Sequence, residues 1–286
     1  MKSQDKHLNK EGQLFIVATP IGNLGDITFR AAETLKEADV IAVEDTRVSG
    51  RLLAHLGIST PMMICHEHNE EKAAAKIIQR LSSGESVALI SDAGTPLIND
   101  PGYRLVKAVR NAGYEVFPIP GVSSPIAALC ASGLPTDHFT YAGFFPRSGK
   151  NRTELISQLE KAKQTYVLLE SPRRLLKTLE TLHKANMVGR EVCVARELTK
   201  LHETFVCGSL DEVLAHFKEH DPRGEIVLLI GPNSGKSEAT DEDLIGALES
   251  EEMQALPPSK RAGAVAKQFS VTKSRVYPLL LDHEER

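Results

Sequence analysis

The chain has 286 residues, 41% hydrophobic and 25% charged, with a formal net charge of −4. That length suits two domains of ordinary size plus an appendage, and it can bury a core without disulfide staples. The charge excludes a uniformly basic nucleic-acid coat, so any such binding must use local patches, and the absence of Trp argues against broad stacking surfaces. Cys65, Cys130, Cys193 and Cys207 form no C-x-x-C pair and sit in or beside apolar segments, which predicts buried free thiols in a reducing compartment. Residues 1–12 are polar and charged, so a flexible tail is expected there rather than a signal peptide. No apolar run approaches the roughly 20 residues of a membrane span, and a cytoplasmic location is expected.

From residue 13 short apolar runs alternate with helical spacing. Gln13–Thr19 reads as a buried strand ended by Pro20 and Gly22, Thr28–Ala38 as a helix and Val40–Val43 as a strand. Glu70–Leu81 is a helix with Ala74, Ile77, Ile78 and Leu81 on one face. Val87–Ser91 is a strand, Tyr103–Asn111 a helix stopped at Gly113, and Glu115–Ile119 a strand stopped by Pro120-Gly121. Such alternation argues for βαβ units and a largely parallel sheet. After a break near Leu134-Pro135 it resumes with strand Phe139–Ala142, helix Arg152–Lys161, strand Thr165–Glu170, helix Arg173–Ala185 and strand Glu191–Arg196. Glu203–Cys207, helix Leu210–Glu219 and strand Glu225–Ile230 follow. The expected architecture is two α/β domains, 13–133 and 134–235, followed by 236–286 as an acidic linker and a basic helical module.

The tail reverses charge. Glu238–Glu252 holds seven acids and no base, whereas Lys260–Tyr277 holds five bases and no acid, which marks a separate module. In 260–281 an apolar face at Ala262, Val265, Ala266 and Phe269 precedes a tight turn at Ser270-Val271-Thr272, with Thr272 expected to cap a second helix. This is a helix-turn-helix outline. Lys260, Arg261, Lys267, Lys273 and Arg275 make it a candidate RNA-backbone contact, and a helical pair packed on the body is the plainer alternative. Pro278 predicts that the second helix is short or kinked.

Ligands in open α/β sheets bind beyond the carboxyl ends of the strands, so the loops there are the candidates for chemistry. The first, Thr19-Pro20-Ile21-Gly22-Asn23-Leu24-Gly25-Asp26, is glycine-rich but lacks the G-x-G-x-x-G dinucleotide spacing. The second is Glu44-Asp45-Thr46-Arg47, two carboxylates and a guanidinium, or simply an N-cap with a local ion pair. The third runs from Ser91 through Asp92, Ala93, Gly94, Thr95, Asn99 and Asp100 to Gly102. It is a long shaped loop of the kind that usually carries function, and Asp92 could pair with a ligand ammonium while the backbone of Ala93 and Gly94 holds its polar edges. The fourth, Pro120-Gly121-Val122-Ser123-Ser124-Pro125, opens an apolar helix. Ser123 or Ser124 could cap that helix or touch a ligand. Further on, Glu170-Ser171-Pro172-Arg173-Arg174 and Arg196-Glu197-Leu198-Thr199-Lys200 add guanidinium forks suited to phosphate, or to surface ion pairs. His66-Glu67-His68 has the wrong spacing for two ligands on one helix face, and no metal is expected. The Gly-Lys-Ser at 235–237 lacks P-loop spacing.

In this order, residues 18–28 (ATPIGNLGDIT), 44–47 (EDTR), 91–102 (SDAGTPLINDPG), 120–124 (PGVSS), 170–174 (ESPRR) and 195–200 (ARELTK) resemble the tetrapyrrole (corrin/porphyrin) methylase superfamily over about residues 13–232. The resemblance implies two α/β domains with S-adenosylmethionine in the cleft between them, and a homodimer. By motif it places the cofactor on Pro20, Ile21 and Gly22, on Asp92, Ala93, Gly94 and Thr95, and on Ser123 and Ser124. Tetrapyrrole-modifying members have a G-x-G-x-G-D first loop. Here Pro20 and Asn23 stand where a Gly and the Asp would be, which favours the RNA branch. That branch methylates the ribose 2′-hydroxyl of a cytidine in the decoding region of small-subunit (16S) rRNA, so 16S rRNA or the small ribosomal subunit is the implied partner.

A 2′-hydroxyl must lose its proton to attack a methyl group. A carboxylate, or a lysine made neutral by burial, could accept it. The candidates are Asp100, Glu44, Asp45, Glu170 and Lys200, with Asp100 favoured because it ends the cofactor loop. Arg47, Arg173 and Arg196 are candidates for holding phosphates. A tetrapyrrole methyltransferase and a non-catalytic RNA-binding protein are the alternatives.

Overall fold

A computed structural model describes residues 12–185, 187, 189–233, 241–269 and 271–284. The expected N-terminal tail otherwise lies outside the described residues.

The first sheet is parallel throughout, in the order β3-β2-β4-β1-β5. Its strands are β1 (Gln13–Val17), β2 (Val40–Val43), β3 (Met62–Ile64), β4 (Val87–Leu89) and β5 (Glu115–Ile119). Every residue of β2 and β4 is buried, as a strand covered on both faces requires. Helices α1 (Phe29–Glu37), α2 (Thr46–Leu56), α3 (Glu70–Ser82), α4 (Tyr103–Asn111) and α5 (Ser124–Ala131) complete this half. Two cores flank the sheet: Leu14, Val40, Ile77, Leu89, Leu105 and their neighbours, and Val17, Leu35, Ile41, Ile90 and theirs. Thr28 caps α1, its Oγ1 accepting from Ala31 N at 3.1 Å.

Helix α2 and strand β3 have no counterpart among the sequence expectations. Asp45 caps α2 and Gly57 ends it at φ 66°, so its boundaries were written in the chain. The three residues of β3 are too few to show a period. The strand exists because Ile41, Ala42 and Val43 offer it a ladder.

The second sheet is mixed, in the order β6-β7-β10-β8-β9. It contains β6 (Phe139–Phe144), β7 (Thr165–Glu170), β8 (Glu191–Arg196), β9 (Thr204–Ser209) and β10 (Ile226–Ile230). Only β6 and β7 pair in parallel; β10 runs antiparallel between β7 and β8. Helices α6 (Gly149–Lys161), α7 (Pro172–Lys184) and α8 (Leu210–Glu219) cover it, and α8 begins with a full capping box between Ser209 and Glu212. Leu159, Leu168, Leu175, Leu179 and Leu228 are fully buried in its core. A second cluster joins Ile21, Ala128 and Leu129 of the first half to Val167, Ala195 and Leu229 of this sheet.

Two sequence expectations fail in this half of the molecule and its neighbour. Antiparallel register sets Cys193 directly opposite Cys207, and the two sulfurs are joined as a disulfide rather than left as free thiols. Cys130 is exposed, so only Cys65 fits the buried free thiol expected for all four. Register between strands is a tertiary property, and no spacing along the chain shows it.

At the C-terminus α9 (Asp241–Leu248), α10 (Glu251–Gln254), α11 (Pro258–Gln268) and α12 (Lys273–Glu284) build a small core of their own. Ala262, Val265 and Ala266 are buried as expected, with Phe269 packed beside them. The acidic stretch is more than a linker, because its Leu244 and Leu248 supply that core. The second helix is not short: α12 runs for twelve residues through Pro278. Pro278 and Ser274 both face solvent, so water can satisfy the carbonyl that proline leaves without a donor.

Candidate active site

At the carboxyl end of the first sheet, three of the expected loops are stitched together. Thr19 and Gly94 exchange both backbone hydrogen bonds, Thr19 N to Gly94 O at 2.8 Å and Gly94 N to Thr19 O at 3.0 Å. Thr95 Oγ1 donates to Val122 O at 2.9 Å. A Cβ on Gly121 would stand 2.8 Å from Ala18 Cβ, so that position needs glycine for close approach. Gly94 and Thr95 therefore spend their polar groups on holding the loops, and the backbone of Gly94 is not free for a ligand. Ser123 occupies the N-cap of α5 but makes no capping hydrogen bond. The capping alternative fails for its hydroxyl. Pro20 and Ile21 are buried, while Gly22 and Ala93 are open.

Opposite stand loops of the second sheet. Thr199 Oγ1 accepts from Asn23 N at 3.1 Å, and a Cβ on Gly22 would collide with the Lys200 side chain at 2.5 Å. On the other flank Tyr141 Oη donates to Asn99 Oδ1 at 2.6 Å. Between these two clamps lies a cleft of about 430 Å³. Ile21, Ile98, Phe144, Leu169, Leu198 and Val227 make its walls apolar, and Asp100, Ser124, Glu170 and Glu225 add polar groups.

Among the described residues, the non-glycine residues with left-handed backbone are Leu97, Asn99, Glu197 and Thr199, with φ between 53° and 73°. All four lie in the two loops that face each other across this cleft. Such strain persists only where surrounding contacts over-determine it. Here those contacts include the Asn99–Tyr141 and Thr199–Asn23 bonds. Glu197 Oε1 also accepts from Glu225 N at 2.9 Å and from Lys200 Nζ at 3.0 Å. Gly224 must lack a Cβ, which would overlap the Glu197 side chain. Asn99, Glu197 and Thr199 lie inside motifs visible in the chain, whereas Tyr141 carried no sequence signal.

The strand ends also gather carboxylates. Burial pushes Glu44 above the usual carboxylate range, and Asp92, Asp100 and Asp45 push it further while His66 opposes them. Asp92 is raised by burial, against a hydrogen bond from Asp45 N at 3.3 Å. Asp100 is raised by burial, partly offset by a hydrogen bond from Ser91, and Asp92 adds to the rise. Burial and the Asp100 charge push Tyr141 to about 12.

The remaining candidates are committed elsewhere. Asp45 caps α2 and chelates Arg47, with Nη2 to Oδ2 at 2.6 Å, which pulls Asp45 down to about 2. Here the cap-and-ion-pair alternative is what forms, although the Arg47 side chain stays 86% exposed. The Glu170 side chain is completely buried. Its Oε1 accepts from Ser171 N at 2.7 Å, and its Oε2 accepts from Thr178 Oγ1 at 2.6 Å and lies 3.4 Å from Arg174. Burial works against the charge on Lys200, but Glu197 and Glu225 outweigh it and raise its pKa. The lysine neutralised by burial is thus not found. Arg173 is exposed. Arg196 is folded onto its own hairpin, with Nε 3.0 Å from Thr204 Oγ1. In the tail, Arg261 reaches Leu248 O at 2.8 Å and Arg275 reaches Asp241 at 3.3 Å, leaving Lys260, Lys267 and Lys273 on the outer face.

Residues 13–214 match the family model described as Tetrapyrrole (Corrin/Porphyrin) Methylases. The chain belongs to the tetrapyrrole methylase family. Within that family it is similar to proteins named ribosomal RNA small subunit methyltransferase I. It is 43% identical to the Escherichia coli O157:H7 protein over 99% of this chain and 100% of that one. It is 46% identical to the Mesorhizobium japonicum protein over 95% and 92% of the two chains. Among solved structures it shares the tetrapyrrole methylase fold with a diphthine synthase (TM-score 0.61, 16% identity, 77% and 90% of the two chains). A cobalt precorrin-4 methyltransferase matches similarly (TM-score 0.58, 20% identity, 78% and 95%).

Proposed function

We propose that this methylase transfers a methyl group from S-adenosylmethionine to the ribose 2′-hydroxyl of a cytidine in the decoding region of 16S rRNA. The observation that carries the reading is the cleft itself: strained, cross-clamped loops from both halves enclose an apolar pocket that also carries the carboxyl groups of Asp100, Glu170 and Glu225. Its relatives along almost the whole chain are named ribosomal RNA small subunit methyltransferase I. The halves 13–133 and 134–235 form the two walls.

The residues present suit the cofactor. A volume of about 430 Å³ lies in the range of small-molecule sites. Of the expected cofactor residues Ile21, Ala93 and Ser124 line the cleft, Ile98 and Leu198 add apolar contact, and Gly22 and Ser123 stand next to lining residues in the chain. Asp92 balances a cationic ligand. S-adenosylmethionine, when bound, supplies an activated methyl on a sulfonium. The chain's task is then alignment and removal of one proton, and alignment alone supplies much of the acceleration.

Asp100 takes that proton. It ends the loop on which the cofactor rests, and burial raises its basicity towards the working pH. Glu44 is the second choice, being held in the same carboxylate group. Glu170 and Lys200 support the walls, and Asp45 positions Arg47 towards phosphate. The enzyme acts as a homodimer, which sedimentation would test.

The deciding experiment is transfer of labelled methyl from S-adenosylmethionine to unmodified small ribosomal subunits, followed by nucleoside analysis. Label in a 2′-O-methylated cytidine is the expected result. Absence of label from both subunits and free rRNA, with cofactor binding intact, would overturn the reading in favour of a small-molecule acceptor or a non-catalytic role.

A further inference from the structure

Helices α3 and α4 pack side by side on one face of the first sheet, and their outer surface carries a charge out of keeping with the chain's net −4. The two helices bear Lys72, Lys76, Arg80, Arg104, Lys107 and Arg110, all exposed. Their acids are only Glu70 and Glu71. Glu70 is buried, its Oε1 accepting from Leu105 N at 2.9 Å, so its charge is spent on the start of α4. Glu71 lies 3.6 Å from Arg104. Neither Lys72 nor Lys76 has an ion-pair partner among the described residues.

Beside α3 runs a groove of about 770 Å³, larger than the cleft. Met63, Ile64 and Ala73 form its apolar side. Lys72, Lys76 and Arg80 line the other at i, i+4 and i+8, a row advancing about 6 Å per step. A three-residue edge strand such as β3 offers too little ladder to capture a peptide by strand addition. Arg80 is paired with Glu85 at 2.6 Å, but Lys72 and Lys76 stand over the trough without ion-pair partners among the described residues and suit a polyanion. The patch also has a direction: α4 starts at Tyr103, three residues after Asp100, so its N-terminal end abuts the carboxylate loop of the cleft.

We infer that the α3–α4 face and its groove are the docking surface for the phosphate backbone of the RNA substrate, leading the strand into the cleft. This rests on the proposed RNA methylation. A chain with net negative charge repels RNA over most of its surface, so docking must concentrate on such a patch. Phosphate contacts set orientation and register and leave the choice of nucleotide to the cleft.

The test is the double variant K72Q/K76Q of the full chain, assayed on unmodified small ribosomal subunits. It should raise KM on the order of tenfold and leave kcat within about twofold. It should also reduce the slope of log affinity against log salt by about 2, one for each phosphate no longer neutralised. The control K177Q/K184Q, on α7, should match wild type. A K72Q/K76Q variant with wild-type KM and salt slope, in a preparation whose wild type transfers methyl, would overturn the docking surface alone. A change of oligomeric state on sedimentation would overturn it too, by assigning the face to a second copy of the chain. Failure of the underlying reading looks different: wild type itself neither transfers methyl to subunits nor binds them in a salt-dependent way.

Discussion

Burial gives Asp100, Glu44 and Asp92 a cost in stability beside the role proposed for them in the reaction. Each is held above its ordinary pKa, chiefly by burial. The folded state therefore holds protons that the unfolded chain has already released. Stability contributed by these groups is highest below their unfolded pKa and is lost as pH rises through the folded values. Glu44→Gln should accordingly raise Tm near neutral pH, with the gap to wild type closing in acid, as a thermal scan across pH would show. The same elevation places the acidic limb of kcat/KM above the ordinary carboxylate value of 3.8. Asp100→Asn should lower turnover by about 10²–10⁴-fold with cofactor binding retained, and near-full turnover would remove Asp100 from the mechanism. Glu170 makes the opposite prediction. Its oxygens satisfy Ser171 N and Thr178 Oγ1 beside Arg174, so Glu170→Ala leaves buried groups without partners. It should cost about 2–4 kcal/mol in urea unfolding.

Among the elements, the C-terminal helices are the most separable. Their core of Leu244, Leu248, Ala262, Val265, Val276 and Leu280 is their own. Leu248→Ala should destabilise this module by about 2–4 kcal/mol while the main unfolding transition stays in place, a separation calorimetry would resolve. Most elements here were legible in the chain. Strands β2, β5, β7 and β8 and helices α4 and α8 run where hydrophobic period and stop residues predict, because each buries a continuous run or stripe between turn signals. Strand β3 was not legible, since three half-exposed residues carry no period. Helix α12 is not cut short at Pro278, where exposure to water softens a cost that would be large in a buried helix.

For the whole molecule, the two clamps on either side of the cleft, Asn23–Thr199 and Asn99–Tyr141, hold the halves in register. Tyr141→Phe removes one bond of about 1 kcal/mol and should weaken cofactor binding about fivefold with little change in Tm, measurable by calorimetric titration. The motifs of the first half, the shaped loops at its strand ends and the charge reversal of the tail were written in the sequence, because glycine, proline and clustered acids at strand ends are local signals. The chain by itself determined the family, the order of most elements and the position of the strand-end loops proposed to carry the chemistry. Tertiary structure alone decided which carboxylates stay available. Asp45, Glu170 and Lys200 stand beside Asp100 as candidates in the sequence, but each is held by hydrogen-bond and ion-pair partners of its own. It also decided the pairing of Cys193 with Cys207, the tyrosine clamp and the basic face of α3 and α4. All of these depend on what lies across the fold, and burial and charge pairing are set by neighbours in space rather than by neighbours along the chain.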